Sequence, residues 1–285
     1  MRNRFLQQFV GEFNPSLVFG LGMRLIVVGY GLIGPLLIPE ELAQVGASVP
    51  RLKPGEDGAI LGTDTQGRDM LAMLTYATPQ TLKIGLIAGA VGVAVGTLFG
   101  ILAGYFGGVI DSIIRGMTDV FITIPGMAIM IVIATNTRSM TVLLIALIVS
   151  LLAWRFPTRT IRAQTLSLRE RSYVQVARLN GMNELEIVFK EVLPNLLPYI
   201  AASFVLAVSS SILMTIGLEA LGLGPQNEYT LGMMIYWSNF YGAILRGMWW
   251  WWFPPIVLIV WIFVSLLFVS AGMDQIVNTK LRSQA

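Results

Sequence analysis

The sequence contains no cysteine and no histidine among its 285 residues. Without cysteine it has no disulfide bond, no thiolate nucleophile and no cysteine-ligated metal site. Without histidine it has no serine–histidine catalytic pair and lacks the commonest ligand for zinc and nickel. These absences exclude the usual nucleophilic hydrolase mechanisms and the transition-metal centres that depend on these side chains.

Charge is also scarce. Only 12% of the residues are charged, 55% are hydrophobic and the mean hydropathy is +0.72, whereas a soluble domain is about 25% charged. A soluble enzyme, a disordered chain and a nucleic-acid-binding protein are therefore excluded. The net charge of +3 needs no nucleic-acid partner, because lysine and arginine collect in the cytoplasmic loops of membrane proteins.

Long apolar runs are what the chain does have. A helix needs about 20 apolar residues to cross a bilayer, and these runs lack the alternating polarity of barrel strands. The composition therefore predicts an all-α integral membrane protein with six transmembrane helices. The predicted spans are residues 17–38, 84–110, 113–135, 140–154 (extended to about Phe156), 196–218 and 253–273.

The distribution of positive charge predicts the orientation. If the N-terminus is cytoplasmic, twelve lysines and arginines fall in cytoplasmic segments and five in external ones, which favours cytoplasmic N and C termini. The cytoplasmic set is Arg2, Arg4, Arg115, Arg155, Arg159, Arg162, Arg169, Arg171, Arg178, Lys190, Lys280 and Arg282; the external set is Arg51, Lys53, Arg68, Arg138 and Arg246. We expect a multi-pass protein of a prokaryotic inner membrane.

Three segments between spans are too long for turns: the external residues 39–79, the cytoplasmic residues 157–195 and the external residues 219–252. The last ends in four consecutive tryptophans, Trp249–Trp252. Amphipathic indole rings suit the headgroup region, so we expect this run to lie at the membrane interface.

One span carries a glycine stripe. The glycines repeat at helical spacing and share one face, so another helix can approach closely there. The partner helix could belong to this chain or to a second membrane subunit. The stripe comprises Gly85, Gly89, Gly92, Gly96, Gly100 and Gly104. In the next span Pro125 predicts a kink, which could serve packing or gating.

The chain has no phosphate-binding G-x-x-x-x-G-K-[ST] motif, so any ATPase that drives it must be another polypeptide. Residues 157–195 are suited to docking one. A helix over residues 172–180 should end at Gly181, and Asn183 with Glu186 should cap a second helix. That helix should end at Pro194. Its apolar face is expected to comprise Leu185, Val188, Phe189 and Val192.

This segment resembles the EAA loop of ATP-binding cassette (ABC) importer permeases. The matching residues are Tyr173-Val174, Ala177-Arg178, Gly181, Ile187 and Leu193-Pro194-Asn195. The whole chain, over residues 17–282, is similar to the second permease of the dipeptide/oligopeptide/nickel family. The further matches are Leu61 to Asp69 (LGTDTQGRD), Ala103 to Gly108 (AGYFGG), Ile124-Pro125, Leu218 to Gly224 (LEALGLG) and Gly272 to Arg282.

The resemblance implies a type I ABC importer fold and an importer built from two permeases, two ATPase subunits or domains and an external substrate-binding protein, embedded in the lipid bilayer. This chain would be no enzyme and would bind no cofactor, with ATP and magnesium held by the ATPases. Residues 80–279 would form the permease domain with its coupling segment at 157–195, between an N-terminal part (1–79) and a cytoplasmic tail (280–285). The residues implied in ATPase coupling are Tyr173, Gln175, Ala177, Arg178, Gly181, Met182, Asn183, Glu191 and Pro194.

The chain departs from the family pattern twice, with Gln175 at the usual acidic position and Glu191 at a usual histidine. We expect Glu191 to pair with a nearby arginine and set the angle of the segment. The family favours peptides as cargo, and di- or oligosaccharides are the alternative.

An ion-coupled secondary transporter is the rival function. Its relay would be Lys83, Asp111, Arg115 and Asp119. Because Asp111–Arg115 and Arg115–Asp119 are each four residues apart, local helix pairs are the simpler expectation.

Overall fold

A computed structural model describes residues 15–283, with the backbone alone at residue 274 and from residue 276 onward. Residues 1–14 and 284–285, which belong to the predicted cytoplasmic termini, lie outside the described residues. The described chain is helical apart from two isolated bridges. Its α-helices are α1 Pro15–Leu37, α2 Met70–Ile101, α3 Gly108–Thr123, α4 Gly126–Thr135, α5 Val142–Ala153, α6 Arg155–Arg169, α7 Ser172–Leu179, α8 Glu184–Ile187, α9 Leu193–Ala220, α10 Leu231–Phe240 and α11 Trp249–Ser283. A 3₁₀ turn covers Glu40–Ala43, and π-helical turns cover Leu102–Phe106 and Val188–Val192.

Within residues 15–283, five helical segments are long and apolar enough to cross a membrane, and the bent pair α3–α4 makes a sixth if it is counted as one span. The five are Pro15–Leu37, Met70–Phe106, Val142–Arg169, Glu184–Ala220 and Trp249–Met273. This agrees with the predicted six. The second span begins at Met70 rather than residue 84, because the Asp69 side chain caps it by accepting a hydrogen bond from the Ala72 amide at 2.9 Å.

The α3–α4 pair is bent by 76° at Ile124 and Pro125. Proline lacks the amide hydrogen that would continue the helical hydrogen bonds and its ring obstructs the preceding turn. The kink expected from the sequence is therefore present. A role for it in gating stays a prediction.

The glycine stripe packs within the chain. Gly85 and Gly89 lie against α9, while Gly92, Gly96, Gly100 and Gly104 lie against the end of α5 and α6. At Gly96 an added Cβ atom would lie 2.6 Å from Pro157 Cβ and 2.8 Å from the Trp154 carbonyl oxygen. The absence of side chains thus lets α2 come into backbone contact with the helices that lead to residues 172–192.

Residues 61–69, predicted to be external, fold against the tryptophan run. The indole nitrogen of Trp250 donates a hydrogen bond to the Thr63 carbonyl at 3.1 Å, and Trp251 is fully buried. The prediction of an interfacial run is therefore wrong for these two tryptophans. Because the run opens helix α11, successive side chains point in different directions and two of them enter the core; Trp249 remains half exposed.

Candidate functional site

Residues 172–192 form a compact projection, here called the knob. Helix α7 ends at Leu179 with Asn180 as its C-cap, and Gly181 adopts a φ of +82° that L-residues disfavour. The Met182 amide returns to the Ala177 carbonyl at 3.2 Å. The Asn183 side chain then accepts a hydrogen bond from the Glu186 amide at 2.8 Å and starts α8. The corner predicted between the two helices is therefore present.

The second helix of the knob buries a different set of side chains from the predicted one. Leu185 and Phe189 are exposed, while Val188 and Val192 are buried together with Ile187. The π-helical turn at Val188–Val192 widens the helix by a residue per turn, so the predicted single apolar face divides in two.

Pro194 does not end this helix, which continues into the membrane span as Glu184–Ala220. The proline lies in the first turn of α9, directly after the π-turn, where its missing amide hydrogen does least harm. The knob is therefore rigidly continuous with a transmembrane helix.

The inner face of the knob is anchored to the spans by a single apolar cluster. Its buried members are Ile101, Tyr105, Ile161, Val174, Ala177, Ile187, Val188, Val192 and Leu196, with Met182 packed against them. Because these residues come from α2, α6, α7, α8 and α9, a displacement of the knob is transmitted to three membrane helices together.

Polar contacts fix the corner of the knob. The Arg178 guanidinium donates to both Glu184 oxygens at 3.2 and 3.3 Å, and the Tyr105 hydroxyl donates to Glu184. The hydrogen bond of the Arg178 guanidinium with Glu184 and, as the second contribution, that with Tyr105 raise the pKa of Arg178, so this side chain stays charged. Sequence reasoning missed Tyr105 and Glu184, since nothing in the chain order brings them together.

Two expected ion pairs do not form. Asp111 accepts two hydrogen bonds from Arg162 of α6 instead of pairing with Arg115, and Asp119 lies 4.0 Å from Arg159. Tertiary partners thus replace the local pairs. Glu191 is half-buried. It takes part in none of the ion pairs among the described side chains, which include all the arginines considered as its partner, so the predicted pairing is wrong.

The outer face of the knob exposes apolar side chains. Leu179 is 86% exposed and Phe189 65% exposed. Val176, Leu185 and Tyr173 are exposed as well, as are Gln175, Arg178 and Gly181 among the predicted coupling residues. An apolar patch of this kind on a rigid projection is typical of a protein-binding surface.

A second arrangement was missed by sequence reasoning, which placed Arg155 with the cytoplasmic cations. Arg155 is only 6% exposed. Its Nη1 donates to the Phe121 carbonyl at 2.7 Å. Pro125, four residues after Phe121, cannot make that bond, so Arg155 satisfies the carbonyl that the kink leaves free. The only signal in the sequence is an arginine at the end of an apolar run.

Residues 96–283 match the family described as the binding-protein-dependent transport system inner membrane component. The chain belongs to this family. It is a multi-pass inner-membrane permease of the ABC importer type, as the resemblance implied.

Curated relatives agree along most of the chain. It is 29% identical over 266 residues to the oligopeptide transport system permease protein OppC of Lactococcus lactis subsp. cremoris. This alignment covers 93% of this chain and 89% of the relative. It is 31% identical over 226 residues to OppC of Escherichia coli strain K12, covering 79% and 72%.

The fold has a solved counterpart. An inward-facing structure of the MetNI methionine ABC transporter aligns with a TM-score of 0.59 at 19% identity, covering 74% of this chain and 97% of that chain. The all-helical type I importer fold expected from the sequence is thereby confirmed.

Proposed function

We propose that this chain forms half of the translocation pathway of an ATP-driven peptide importer and couples to separate ATPase subunits through the knob. The second half of the pathway comes from a homologous permease, and an external binding protein delivers the cargo. ATP and magnesium bind to the ATPases. Both termini lie in the cytoplasm, in accord with the distribution of lysine and arginine.

The observation that carries this proposal is the two-sided construction of the knob. Its inner face is packed on three membrane helices, whereas its outer face presents apolar side chains that no residue of the described chain covers. A partner that binds the outer face and changes its own conformation therefore moves the membrane helices. Such a rigid link is what a two-state transporter needs to respond to ATP binding elsewhere.

Peptides are the proposed cargo because the curated relatives reported above are oligopeptide permeases. The alternative cargo is a di- or oligosaccharide, and one small external cavity of the described residues has a lining that does not discriminate between the two cargoes. An external cavity of about 140 Å³ combines the aromatic rings of Tyr229 and Trp237 with the side chains of Gln226, Asn227 and Glu228. Rings that stack and amides that hydrogen-bond suit sugars as well as peptides.

Leu179→Asp tests the docking surface. Leu179 is 86% exposed, so a charge there leaves the packing of the knob intact, but it would be buried against the ATPase. We expect a loss of about 2 kcal/mol at such a contact, which is roughly a 30-fold weaker association. Co-purification of the ATPase subunits with the tagged permease measures it.

The matched control is Leu245→Asp, which changes the same residue type at a 94% exposed position of the external segment. It should retain the ATPase subunits at the wild-type level. Normal retention by Leu179→Asp, together with normal ATP-driven uptake, would contradict the assignment of the knob as the coupling element.

A further inference from the structure

A cavity of about 400 Å³ opens between the α5–α6 segment and α9. This volume lies in the range of about 300–1,000 Å³ typical of small-molecule sites. Apolar side chains form most of its wall. Its polar lining comes from Arg155, Thr160, Ser203, Ser210 and Ser211.

Among the described residues that line the cavity, Arg155 alone is charged. Its Nη1 is held by the Phe121 carbonyl, but its buried Nε has no hydrogen-bond partner. None of the ion pairs in the described residues involves Arg155. The cavity therefore contains a positioned cation without a counter-anion.

Ser211 supplies a second unsatisfied group to the same cavity. It is 2% exposed, and its Oγ has no hydrogen-bond partner. The neighbouring hydroxyls differ, because Ser209 donates to the Val205 carbonyl at 2.9 Å and Ser210 to the Ala207 carbonyl at 3.1 Å. Helices α6 and α9 thus each contribute to the lining of this cavity a residue that carries a buried polar atom without a partner.

Burying these polar groups without partners raises the free energy of the folded protein unless a ligand supplies the missing hydrogen bonds. A charged side chain within a transmembrane segment is unfavourable and commonly marks a pathway, and a buried polar atom without a partner forfeits a hydrogen bond. Guanidinium and hydroxyl groups are both donors. Their natural common ligand is a carboxylate, which accepts several charge-assisted hydrogen bonds.

We propose that Arg155 and Ser211 form a carboxylate-binding subsite in the translocation pathway, and that it receives the C-terminal carboxylate of the peptide in transit. This deepens the function proposed above and rests on it. Arg155 then has two roles: Nη1 holds the kinked α3–α4 pair through the Phe121 carbonyl, while the positive charge of the guanidinium attracts the carboxylate of the cargo. Ser211 contributes to the cargo contact alone.

The test compares two cargoes that differ only at the proposed contact. The importer complex, reconstituted with its binding protein at saturation, takes up a tri-alanine peptide with a free carboxylate or the same peptide as a C-terminal amide. The measured quantity is the acid-to-amide ratio of uptake rates. Because every variant is supplied by the same binding protein, its own preference cancels when ratios are compared.

We expect Arg155→Gln to lower the acid-to-amide ratio about tenfold, since it removes a hydrogen bond to a charged group. Ser211→Ala should lower the ratio about threefold without touching the Phe121 contact, so it decides the matter if Arg155→Gln fails to assemble. Ser209→Ala, the same change two residues earlier at a hydroxyl already bonded within its helix, should leave the ratio unchanged.

Unchanged acid-to-amide ratios in both Arg155→Gln and Ser211→Ala would overturn the subsite but not the peptide importer. If Arg155→Gln does not assemble, an unchanged ratio in Ser211→Ala alone would overturn the subsite. A wild-type complex that imports a labelled disaccharide but neither peptide would overturn both proposals.

Discussion

Gly96→Ala should loosen the contact between α2 and α6. The new methyl group would lie 2.6 Å from Pro157 Cβ, 2.8 Å from the Trp154 carbonyl oxygen and 3.0 Å from the Thr158 amide nitrogen. These neighbours are backbone atoms or a rigid ring, so no side chain can rotate away. Relief requires the helices to separate by several tenths of an ångström, and overpacking of this kind costs about 1–3 kcal/mol.

The assay is thermal unfolding of the purified chain in detergent. Gly96→Ala should melt below the wild type. Gly116→Ala is the matched control, because Gly116 is also helical but an added Cβ meets nothing within 4 Å; it should melt at or above the wild type, since alanine favours the helix over glycine by about 0.5–1 kcal/mol. Equal melting of the two variants would refute the idea that the stripe is a close-packed contact.

Two more substitutions test the external segment and the knob. Asp64→Asn should make residues 61–69 sensitive to external protease. Asp64 accepts hydrogen bonds from the Gln66 and Arg68 amides at 2.7 and 3.0 Å and pairs with the buried Arg68 side chain, and breaking a buried ion pair costs about 3–5 kcal/mol. The control is Glu56→Gln at an exposed position, and equal protection of both variants would contradict this prediction. Glu191→Gln should change the free energy of unfolding by no more than about 0.5 kcal/mol, since Glu191 has no ion-pair partner among the described residues. Cargo-stimulated ATPase activity should stay within about twofold of wild type. A loss of stimulation would show that Glu191 acts on the partner ATPase.

The features that sequence reasoning predicted correctly depend on local chemistry. Apolar length decides which segments can span a bilayer. The corner of the knob follows from a glycine that tolerates positive φ and an asparagine that caps a helix. Pro125 breaks its helix because the missing hydrogen belongs to the residue itself.

The features that it predicted incorrectly depend on partners distant in the chain. Asp111 pairs with Arg162, 51 residues away, rather than with Arg115. The buried face of the second knob helix depends on a π-turn, which hydrophobic periodicity does not reveal because it assumes 3.6 residues per turn throughout.

Arg155 shows the same limit at the candidate site. Positive charge near the end of a span predicts a cytoplasmic position, yet a free carbonyl at Phe121 holds the side chain inside the protein. Only the fold brings Arg155 and Ser211, 56 positions apart in the chain, to one cavity.

The most direct test of the central claim is cargo accumulation in proteoliposomes that contain this chain with its partner permease, ATPases and binding protein. We predict accumulation that requires ATP hydrolysis and the binding protein, is unaffected by collapse of ion gradients, and is absent when this chain is reconstituted alone. ATP-independent accumulation by this chain alone, driven by a proton or sodium gradient, would contradict the account and identify a secondary transporter.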